Sequence, residues 1–276
     1  MTSPNVALTI AGSDSGGGAG IQADLKTFGQ FGVFGASVIT AVTAQNTVGV
    51  TAVHVVPAAT VTAQIDAVLV DLPVGAVKTG MLATAELVEL VAARAAAGEL
   101  PNLVVDPVLV SATGHRLLEE SALTAYRDLL LPHATIATPN LEEAAVLVGR
   151  PLRTLDDARA AAHALAELGT QLVVVKGGHI EGPQAVDVIV VAGEDHELAA
   201  DRIDTSNTHG TGCTFAAAAA AGLANGVDPL DALAGAKRYV TGAIAGAAAW
   251  RLGAGNGPLD HLGFGPRPSH RDSTTP

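Results

Sequence analysis

Short, nearly continuous apolar runs alternate along the chain with longer segments whose apolar residues recur at helical spacing. Apolar runs bounded by glycine, proline or polar residues are typical of strands that are buried on both faces of a sheet. On this pattern we predict strands at Val6–Ala11, Ala36–Ala44, Val50–Val56, Ala76–Thr79, Leu103–Val105, Thr135–Ala137, Gln171–Lys176 and Ala185–Val191.

The intervening segments predict helices. Val61, Ile65 and Val68 fall on one helical face, as an amphipathic helix requires. Thr154, followed three residues later by Asp157, is a variant of the capping box that begins a helix. The predicted helices are Gly18–Phe31, Thr60–Leu72, Ala83–Ala97, Leu141–Val148, Thr154–Leu168, Gly210–Asn225 and Pro229–Trp250.

Strands that alternate with helices in this way predict an α/β fold with three layers, αβα, around a central, mostly parallel sheet. No stretch of the sequence resembles a linker or a fixed-period repeat, so we predict a single domain over residues 1–263. Residues 264–276 are rich in proline, serine and threonine, and we expect them to form a disordered C-terminal tail.

Charge and cysteine content narrow the function classes. The net charge of -12 argues against general binding to nucleic acid or anionic membranes, although local backbone N–H groups can still bind a phosphate. Cys213 is the only cysteine of the sequence, which excludes an internal disulfide framework and fits a reducing, cytoplasmic setting. Neither a signal peptide nor a membrane span is recognisable in the sequence.

Polar or glycine-rich clusters follow the predicted strands, where parallel sheets bind their ligands. These clusters are Gly12–Gly20, Gln45–Asn46, Lys78–Met81, Asp106–Pro107, Thr138–Asn140 and Lys176–His179. The first loosely matches a dinucleotide-binding loop, but after Asp24 the next carboxylate is Asp66, too far along for that motif. A dinucleotide site and a loop without any ligand remain alternatives for it.

No Walker A pattern occurs, so a nucleotide phosphate needs another cradle. The best candidate is the start of the Ala-rich helix, where the amides of Gly210, Thr211, Gly212 and Cys213 would face an anion. The same helix end can lower the pKa of the Cys213 thiol. The structural alternative is that Cys213 is a small packed residue and that the glycines only allow close helix packing.

Four further polar residues have a functional and a structural interpretation. Lys176 can point at phosphate oxygens or into solvent. Asp106 can orient a metal-bound water or cap a loop. Asn140 and Glu143 have the spacing of an ordinary capping box, and Glu143 can equally be linked to Mg²⁺.

Seven ordered blocks resemble the hydroxymethylpyrimidine/phosphomethylpyrimidine kinases of thiamine biosynthesis, over about residues 5–262. The blocks are Ala11–Thr27, Thr43–Thr47, Lys78–Leu82, Val105–Val108, Thr138–Leu141, Val175–His179 and His209–Thr214. The resemblance implies a ribokinase-like fold, Mg²⁺ and ATP as cofactors, and a homodimer. It also implies phosphorylation of 4-amino-5-hydroxymethyl-2-methylpyrimidine and then of its monophosphate.

The resemblance also implies residue roles. Gln45 would bind the aminopyrimidine edge, Asp24 would hold other polar ring positions, and the ring would contact Met81, Val42 and Gly12. Catalysis would use Cys213, Lys176 and the amides that begin the Ala-rich helix. The residues expected near the nucleotide are Lys176, Thr208, Lys237 and Asn140, and those expected near Mg²⁺ are Asp106 and Glu143.

Cys213 is a departure from the wider ribokinase group, which usually has an aspartate base at this position. Either a stabilised thiolate takes the hydroxyl proton, or the proton leaves late and the base is minor. A pyridoxal/pyridoxine kinase of the same superfamily remains an alternative. An inactive pyrimidine- or nucleotide-binding regulator is the alternative from another class.

Overall fold

A computed structural model describes residues 3–109, 120–178 and 180–265. Within them, nine strands form one sheet with the order β3-β2-β1-β4-β5-β6-β7-β8-β9. The strands are β1 Val6–Asp14, β2 Phe34–Gln45, β3 Val50–Val55, β4 Val74–Thr79, β5 Val104–Val105, β6 Ile136–Ala137, β7 Leu172–Val175, β8 Gln184–Val191 and β9 Glu194–Asp201.

The centre of the sheet is parallel. Strand β1 pairs in parallel with β2 and β4, and parallel pairing continues through β5 and β6 to β7. The margins are antiparallel, with β3 against β2 on one side and the pairs β7–β8 and β8–β9 on the other. The prediction of a mostly parallel sheet is therefore correct.

Helices cover both faces of this sheet. They are α1 Gly20–Gln30, α2 Ala58–Asp71, α3 Ala85–Ala96, α4 Glu120–Ala125, α5 Leu141–Val148, α6 Leu155–Ala166, α7 Thr211–Ala224 and α8 Pro229–Ala247. Successive strand residues point to opposite faces. Val105 therefore belongs to a core that α2 to α6 line, and Val104 to a second core lined by α1, α7 and α8.

Helix α7 is buried along almost its whole length, from Thr214 to Leu223. Its alanines occupy little space, so the helix fits between the sheet and α8. A Cβ at Gly222 would lie 2.7 Å from the Cβ of Ala232 on α8, which is too close for a side chain. The Ala-rich segment is thus a central packing element that holds its first turn rigidly against the sheet.

Two elements of the structure differ from the predictions. Strand β9 and helix α4, which continues as the turns Tyr126–Leu130 and Leu131–His133, were not predicted. Of the predicted tail, residues 266–276 lie outside the described residues. Phe264 and Gly265 are described, and their N–H groups donate to the carboxylate of Asp260 at 2.9 and 2.7 Å.

No helix within residues 3–109, 120–178 and 180–265 has the length and apolar character needed to cross a membrane.

Candidate active site

The parallel strands end at one edge of the sheet, and the first turn of α7 lies over that edge. A Cβ placed on Gly212 would lie 3.1 Å from Nζ of Lys176, which follows β7, and 3.8 Å from Oδ2 of Asp106, which follows β5. The structure therefore brings together three clusters that the sequence spreads along the chain.

Glycine is required where the two glycine-rich loops meet. Gly210 caps α7 with φ 89°, a left-handed conformation that favours glycine. A Cβ there would also overlap the carbonyl oxygen of Gly18, and a Cβ on Gly18 would lie 2.5 Å from Cδ2 of His209. The contact leaves no room for side chains, so the backbone itself lines this part of the cleft.

The start of α7 offers amides to an anion. The first N–H groups of a helix have no acceptor within it, and the helix dipole favours negative charge at this end. The N–H of Thr211 turns back to the carbonyl oxygen of Thr208 at 3.2 Å. Of the four predicted donors, Thr211 is therefore the one whose amide already has an acceptor within the turn.

We call Lys176, Asp106, Glu143, Asn140 and Gly212 the phosphoryl end of the cleft. Lys176 Nζ lies 2.9 Å from Asp106 Oδ1, which also accepts a hydrogen bond from Thr138 Oγ1 at 3.1 Å. Burial alone would lower the pKa of Lys176, but Asp106 and Glu143 outweigh it and raise that pKa above its ordinary value. Lys176 is therefore a fixed cation.

Asn140 and Glu143 begin α5 with a complete capping box. The Glu143 N–H donates to Asn140 Oδ1, and Glu143 Oε2 accepts from the Asn140 N–H, both at 2.8 Å. Burial raises the pKa of Glu143 to about 7, although Lys176 opposes the shift. The structural interpretation of this pair is therefore correct, and it leaves a carboxyl that titrates near neutral pH beside Asp106 and Lys176.

The thiol of Cys213 does not behave as the helix-end argument predicts. Burial raises its pKa to about 11, although the nearby Lys78 ammonium opposes the shift. Removal from water, together with the Asp106 and Asp24 carboxylates, outweighs the Lys78 ammonium here. The expectation of a stabilised thiolate is therefore wrong for this structure, and Cys213 is a neutral thiol at pH 7.

Asp24 lies behind the cleft rather than on its surface. Its side chain is fully buried and pairs with the buried Lys78, whose Nζ is 2.9 and 3.0 Å from the two carboxylate oxygens. Thr9 Oγ1 donates to Asp24 Oδ2 at 2.6 Å. Since its oxygens are already bonded, the structure does not place Asp24 where it would contact a ligand ring directly.

We call Gln45, Thr43, His209 and Asp14 the ring end of the cleft, because the resemblance implies that Gln45 binds the aminopyrimidine edge. His209 Nε2 lies 2.9 Å from Asp14 Oδ2 and 3.4 Å from Gln45 Nε2. Thr43 Oγ1 lies 3.1 Å from Gln45 Oε1. The sequence predicted Gln45, whereas Asp14 and His209 appeared only as members of the blocks Ala11–Thr27 and His209–Thr214, without a predicted role.

Three predicted ring contacts lie close to one another. A Cβ on Gly12 would be 2.7 Å from Cε of Met81 and 3.7 Å from the carbonyl oxygen of Ala41. Val42, the next residue, pairs with Ser13 in the β1–β2 register. Val42 is 48% exposed, so it offers an apolar surface that a ring can cover.

Lys237 is held near the Lys176 turn by Asp187. Its Nζ lies 2.8 Å from Asp187 Oδ2 and 2.9 Å from the carbonyl oxygen of Ala185, and Asp187 Oδ1 accepts from the Gly177 N–H at 3.1 Å. Thr208 is exposed just before α7. Lys237 and Thr208 therefore lie next to the site: Lys237 is linked to the Lys176 turn through Asp187, and Thr208 precedes α7.

Among the described residues, no three His, Cys, Asp or Glu side chains are grouped so that they could hold a metal ion. Asp106 and Glu143 supply two hard oxygen donors. Magnesium often takes one or two protein carboxylates and completes its shell with water and substrate phosphates, so these two residues fit a Mg²⁺ that arrives with a nucleotide.

A mostly parallel three-layer fold, with a helix N-terminus, a fixed lysine and two carboxylates at the strand ends, defines a ribokinase-like small-molecule kinase. Residues 14–260 match the sequence model of the phosphomethylpyrimidine kinase family. The chain therefore belongs to that family and is a phosphotransferase. Membership of this kinase family argues against a dinucleotide-binding site at the loop Gly12–Gly20.

Known proteins support the same assignment. The hydroxymethylpyrimidine/phosphomethylpyrimidine kinase of Streptomyces coelicolor is 52% identical over 258 residues, which are 94% of this chain and 94% of that protein. The phosphomethylpyrimidine kinase structure from Clostridium difficile has TM-score 0.77 and 40% identity, over 87% of this chain and 99% of that one. An ADP complex of Bacillus subtilis pyridoxal kinase has TM-score 0.86 and 40% identity, over 94% and 98%.

Proposed function

We propose that the protein phosphorylates 4-amino-5-hydroxymethyl-2-methylpyrimidine with ATP and then phosphorylates the resulting monophosphate to the diphosphate. The observation that carries the proposal is the phosphoryl end, where Lys176 and Asp106 lie against Gly212 at the start of α7. Phosphoryl transfer depends on positioning and on fixed charges around the transferring group.

The phosphoryl donor is a nucleotide. A pyridoxal kinase of the same fold was solved with ADP, the product that ATP leaves after transfer. In this chain Lys176, Lys237, Thr208 and Asn140 would approach the nucleotide. Asp106 and Glu143 would hold Mg²⁺, which neutralises phosphate charge when it is bound.

In the first step the hydroxymethyl oxygen attacks the γ-phosphorus, and the bond from that phosphorus to the bridging oxygen of ADP breaks. The amides of Gly212 and Cys213 and the ammonium of Lys176 would stabilise the charge on the transferring group. A thiol with a pKa of about 11 already carries its hydrogen at pH 7, so it cannot accept the hydroxyl proton. The hydroxyl therefore loses its proton late, to water, after the bond to phosphorus has begun to form. The second step starts from an ionised phosphate oxygen and needs no base.

A pyridoxal kinase activity is the second candidate, because a pyridoxal kinase shares this fold at 40% identity. Both substrates carry a hydroxymethyl group on a heteroaromatic ring. The deciding experiment is a steady-state assay of pure protein with each ring alcohol, in which mono- and diphosphate are separated. We expect the aminopyrimidine to be the better substrate by kcat/KM and both products to form. A preference for pyridoxal would overturn the proposal, and turnover of neither ring would favour an inactive regulator.

We also propose a homodimer that forms at the β3 margin of the sheet. All residues of β3 are exposed, and exposed apolar side chains occur along this margin, namely Val48, Val50, Val53 and Val55. An open strand edge with an exposed apolar surface favours association. Light scattering measures the mass, and we expect Val53→Lys to shift it from dimer to monomer. The single cysteine fits a cytoplasmic location.

A further inference from the structure

The C-terminal segment Gly257–His261 is hydrogen-bonded to both ends of the turn that begins α7. At one end, the His209 N–H donates to the carbonyl oxygen of Gly257 at 3.0 Å. At the other end, Thr214 Oγ1 lies 2.8 Å from His261 Nε2, and both side chains are buried. The turn between these two bonds carries the amides of the phosphoryl end, so the segment spans the part of α7 that would face a transferring phosphoryl group.

Helix α8 holds the far end of this segment. Tyr239 Oη donates to the carbonyl oxygen of His261 at 2.8 Å, and the Asp260 N–H donates to the carbonyl oxygen of Ala243 at 3.0 Å. A Cβ on Gly246 would lie 2.7 Å from Oδ2 of Asp260, so the segment packs directly on the backbone of the helix. The segment therefore ties the first turn of α7 to α8.

The glycine-rich loop after β1 closes the other side of the same turn. A Cβ on Gly18 would lie 2.5 Å from Cδ2 of His209 and 3.2 Å from Cβ of Pro258. The loop, the turn and the C-terminal segment are therefore in direct contact. The position of the turn depends on these neighbours as well as on the hydrogen bonds within α7.

The His261 ring carries no charge at pH 7. Burial lowers its pKa to about 4, and the Lys26 ammonium acts in the same direction, whereas the Leu259 backbone and the Asp260 carboxylate oppose the shift. Replacement of this ring by a neutral side chain therefore leaves the charge of the site unchanged. An effect of such a replacement on a bound phosphate must come from the position of other groups.

Both tautomers of the neutral imidazole keep the bond to Thr214. Nε2 can accept the hydroxyl hydrogen, or it can donate to the hydroxyl oxygen. In the second case the hydroxyl donates to the carbonyl oxygen of Gly210, which lies 2.8 Å away. That carbonyl already accepts the Thr214 N–H at 2.9 Å, so it does not depend on the hydroxyl. The contact with His261 is thus an addition to the hydrogen bonds that the helix makes by itself.

We propose that His261, through Thr214, is a positioning residue that holds the amides at the start of α7 in place for phosphoryl transfer. A Cβ on Gly212 in this turn would lie 3.1 Å from Nζ of Lys176, so a small displacement of the turn changes the spacing between the amides and the ammonium. Stabilisation of a transferring phosphoryl group depends on donors that are already at the right distance. The inference rests on the proposed function, since it concerns a residue that serves that reaction.

The first test compares His261→Leu with His261→Gln. Leucine has no hydrogen-bonding atom, whereas glutamine can place its amide near the position of Nε2 and keep the bond to Thr214. We expect His261→Leu to lower kcat about tenfold for both ring alcohols, because the amides lose their fixed place, and to leave the KM for the ring unchanged. His261→Gln should recover most of kcat. An unchanged kcat in His261→Leu, or an equal loss in His261→Gln, overturns the proposal.

The claim that His261 acts through Thr214 has a test of its own. Thr214→Val removes the same hydrogen bond from the other side and should lower kcat as His261→Leu does, whereas Thr214→Ser keeps the hydroxyl and should not. The double variant should lose no more than either single variant, because each removes the same contact. Additive losses overturn the proposal. The Thr214 pair also keeps the proposal testable if His261→Leu folds poorly.

A third measurement does not depend on turnover. Calorimetry compares the affinities for Mg–ADP and for Mg–AMP-PCP, a non-hydrolysable analogue that adds the γ-phosphate. We expect His261→Leu to weaken AMP-PCP binding about fivefold and ADP binding by less than about twofold. Equal weakening of the two nucleotides, or no weakening of either, overturns the proposal. If wild-type protein phosphorylates neither ring, the proposed function fails, while this comparison still decides whether His261 positions the turn.

Discussion

The two ends of the cleft differ in the interactions that they offer a ligand: charges at the phosphoryl end, and directional hydrogen bonds at the ring end. At the phosphoryl end, Lys176 and Asp106 form a largely buried ion pair beside Glu143, whose pKa burial raises to about 7. At the ring end, Gln45 and Thr43 are neutral, Asp14 accepts the N–H groups of Gly18 and Ala19, and His209 contacts both Asp14 and Gln45. Charge interactions act over distance and tolerate small displacements, whereas hydrogen bonds depend on direction.

One cleft can therefore combine a reaction that is the same for every substrate with a site that selects among substrates. Changes at the phosphoryl end should affect every substrate alike, because every substrate transfers the same group. Changes at the ring end should alter the ratio between substrates. Cys213 follows Gly212 at the start of α7 and interacts electrostatically with Lys78 and Asp106, so its effect should depend on which oxygen attacks.

The largest effect is expected for Lys176→Met. Loss of the cation leaves the buried Asp106 without its partner and removes charge stabilisation from the transferring phosphoryl group. We expect kcat/KM to fall by about a thousandfold for the aminopyrimidine and for pyridoxal alike. Thermal unfolding and ligand-free mass should be checked as the folding control. A large change in the ratio between the two substrates would contradict the division between the ends.

Next in size is Cys213→Ala. The first phosphorylation must dispose of a hydroxyl proton, whereas the second starts from an ionised phosphate. We expect the first step to slow by no more than about tenfold, below the range for general acid–base groups, because the thiol is neutral at pH 7, and the second step by less. Separate assays of the alcohol and the monophosphate measure this, with Cys213→Ser as the control. Equal losses in both steps would show that the thiol acts only by packing.

A smaller effect concerns pH. The pKa of Glu143 is raised to about 7 from 4.5, so the native state keeps a proton that the unfolded chain releases, and this group's contribution to stability falls as pH rises from 4.5 to 7. A Mg²⁺–nucleotide needs the ionised form. We expect Mg–ADP binding to tighten about tenfold between pH 6 and pH 8.

Calorimetric titration of Mg–ADP at three pH values makes that measurement. Glu143→Gln should bind more weakly at pH 8 and lose most of the pH dependence, while Glu142→Gln, one residue earlier on the same helix turn, is the matched control. The same pH slope in wild-type protein and in Glu143→Gln would remove Glu143 from the metal site.

The smallest effect is expected for Lys237→Met. Lys237 reaches the site only through Asp187, which also binds the Gly177 N–H. Loss of the ammonium should raise the KM for ATP about threefold, about 0.7 kcal/mol, and leave the KM for the ring unchanged. Because the ion pair is largely buried, with 12% and 6% of its side chains exposed, the unfolding temperature should also fall. Lys237→Arg keeps the charge and tests whether geometry matters. A change in the ring KM would place Lys237 nearer the substrate than its contacts indicate.

Much of the architecture could be predicted, because it follows from local patterns. The alternation of apolar runs and helical segments indicated a parallel sheet, and the capping residues Asn140 and Thr154 marked the start of α5 and α6. Strand β9 was missed because its residues, Glu194–Asp201, are mostly charged and exposed. It is a strand because β8 offers a paired edge, which is a tertiary condition.

The site residues were likewise predicted where they follow from local patterns and missed where they depend on tertiary contacts. The strand-end clusters and the resemblance brought Gln45, Lys176, Asp106 and Glu143 forward as candidates. Asp14 and His209 were missed because they are 195 residues apart in the chain and neither has a distinctive spacing. The buried ion pair of Asp24 with Lys78 could not be predicted from the sequence either. A carboxylate on a predicted helix does not show whether its face of the helix will be buried.

The sequence by itself determined the fold class, the glycines that let the two loops touch, and the family to which the chain belongs. These features depend on residue type and order along the chain. Only the tertiary structure decided that Cys213 is a neutral thiol, that Glu143 titrates near pH 7, and that His209 faces both Asp14 and Gln45. Protonation and direction depend on burial and on neighbours from distant parts of the chain, and these exist only once the chain has folded.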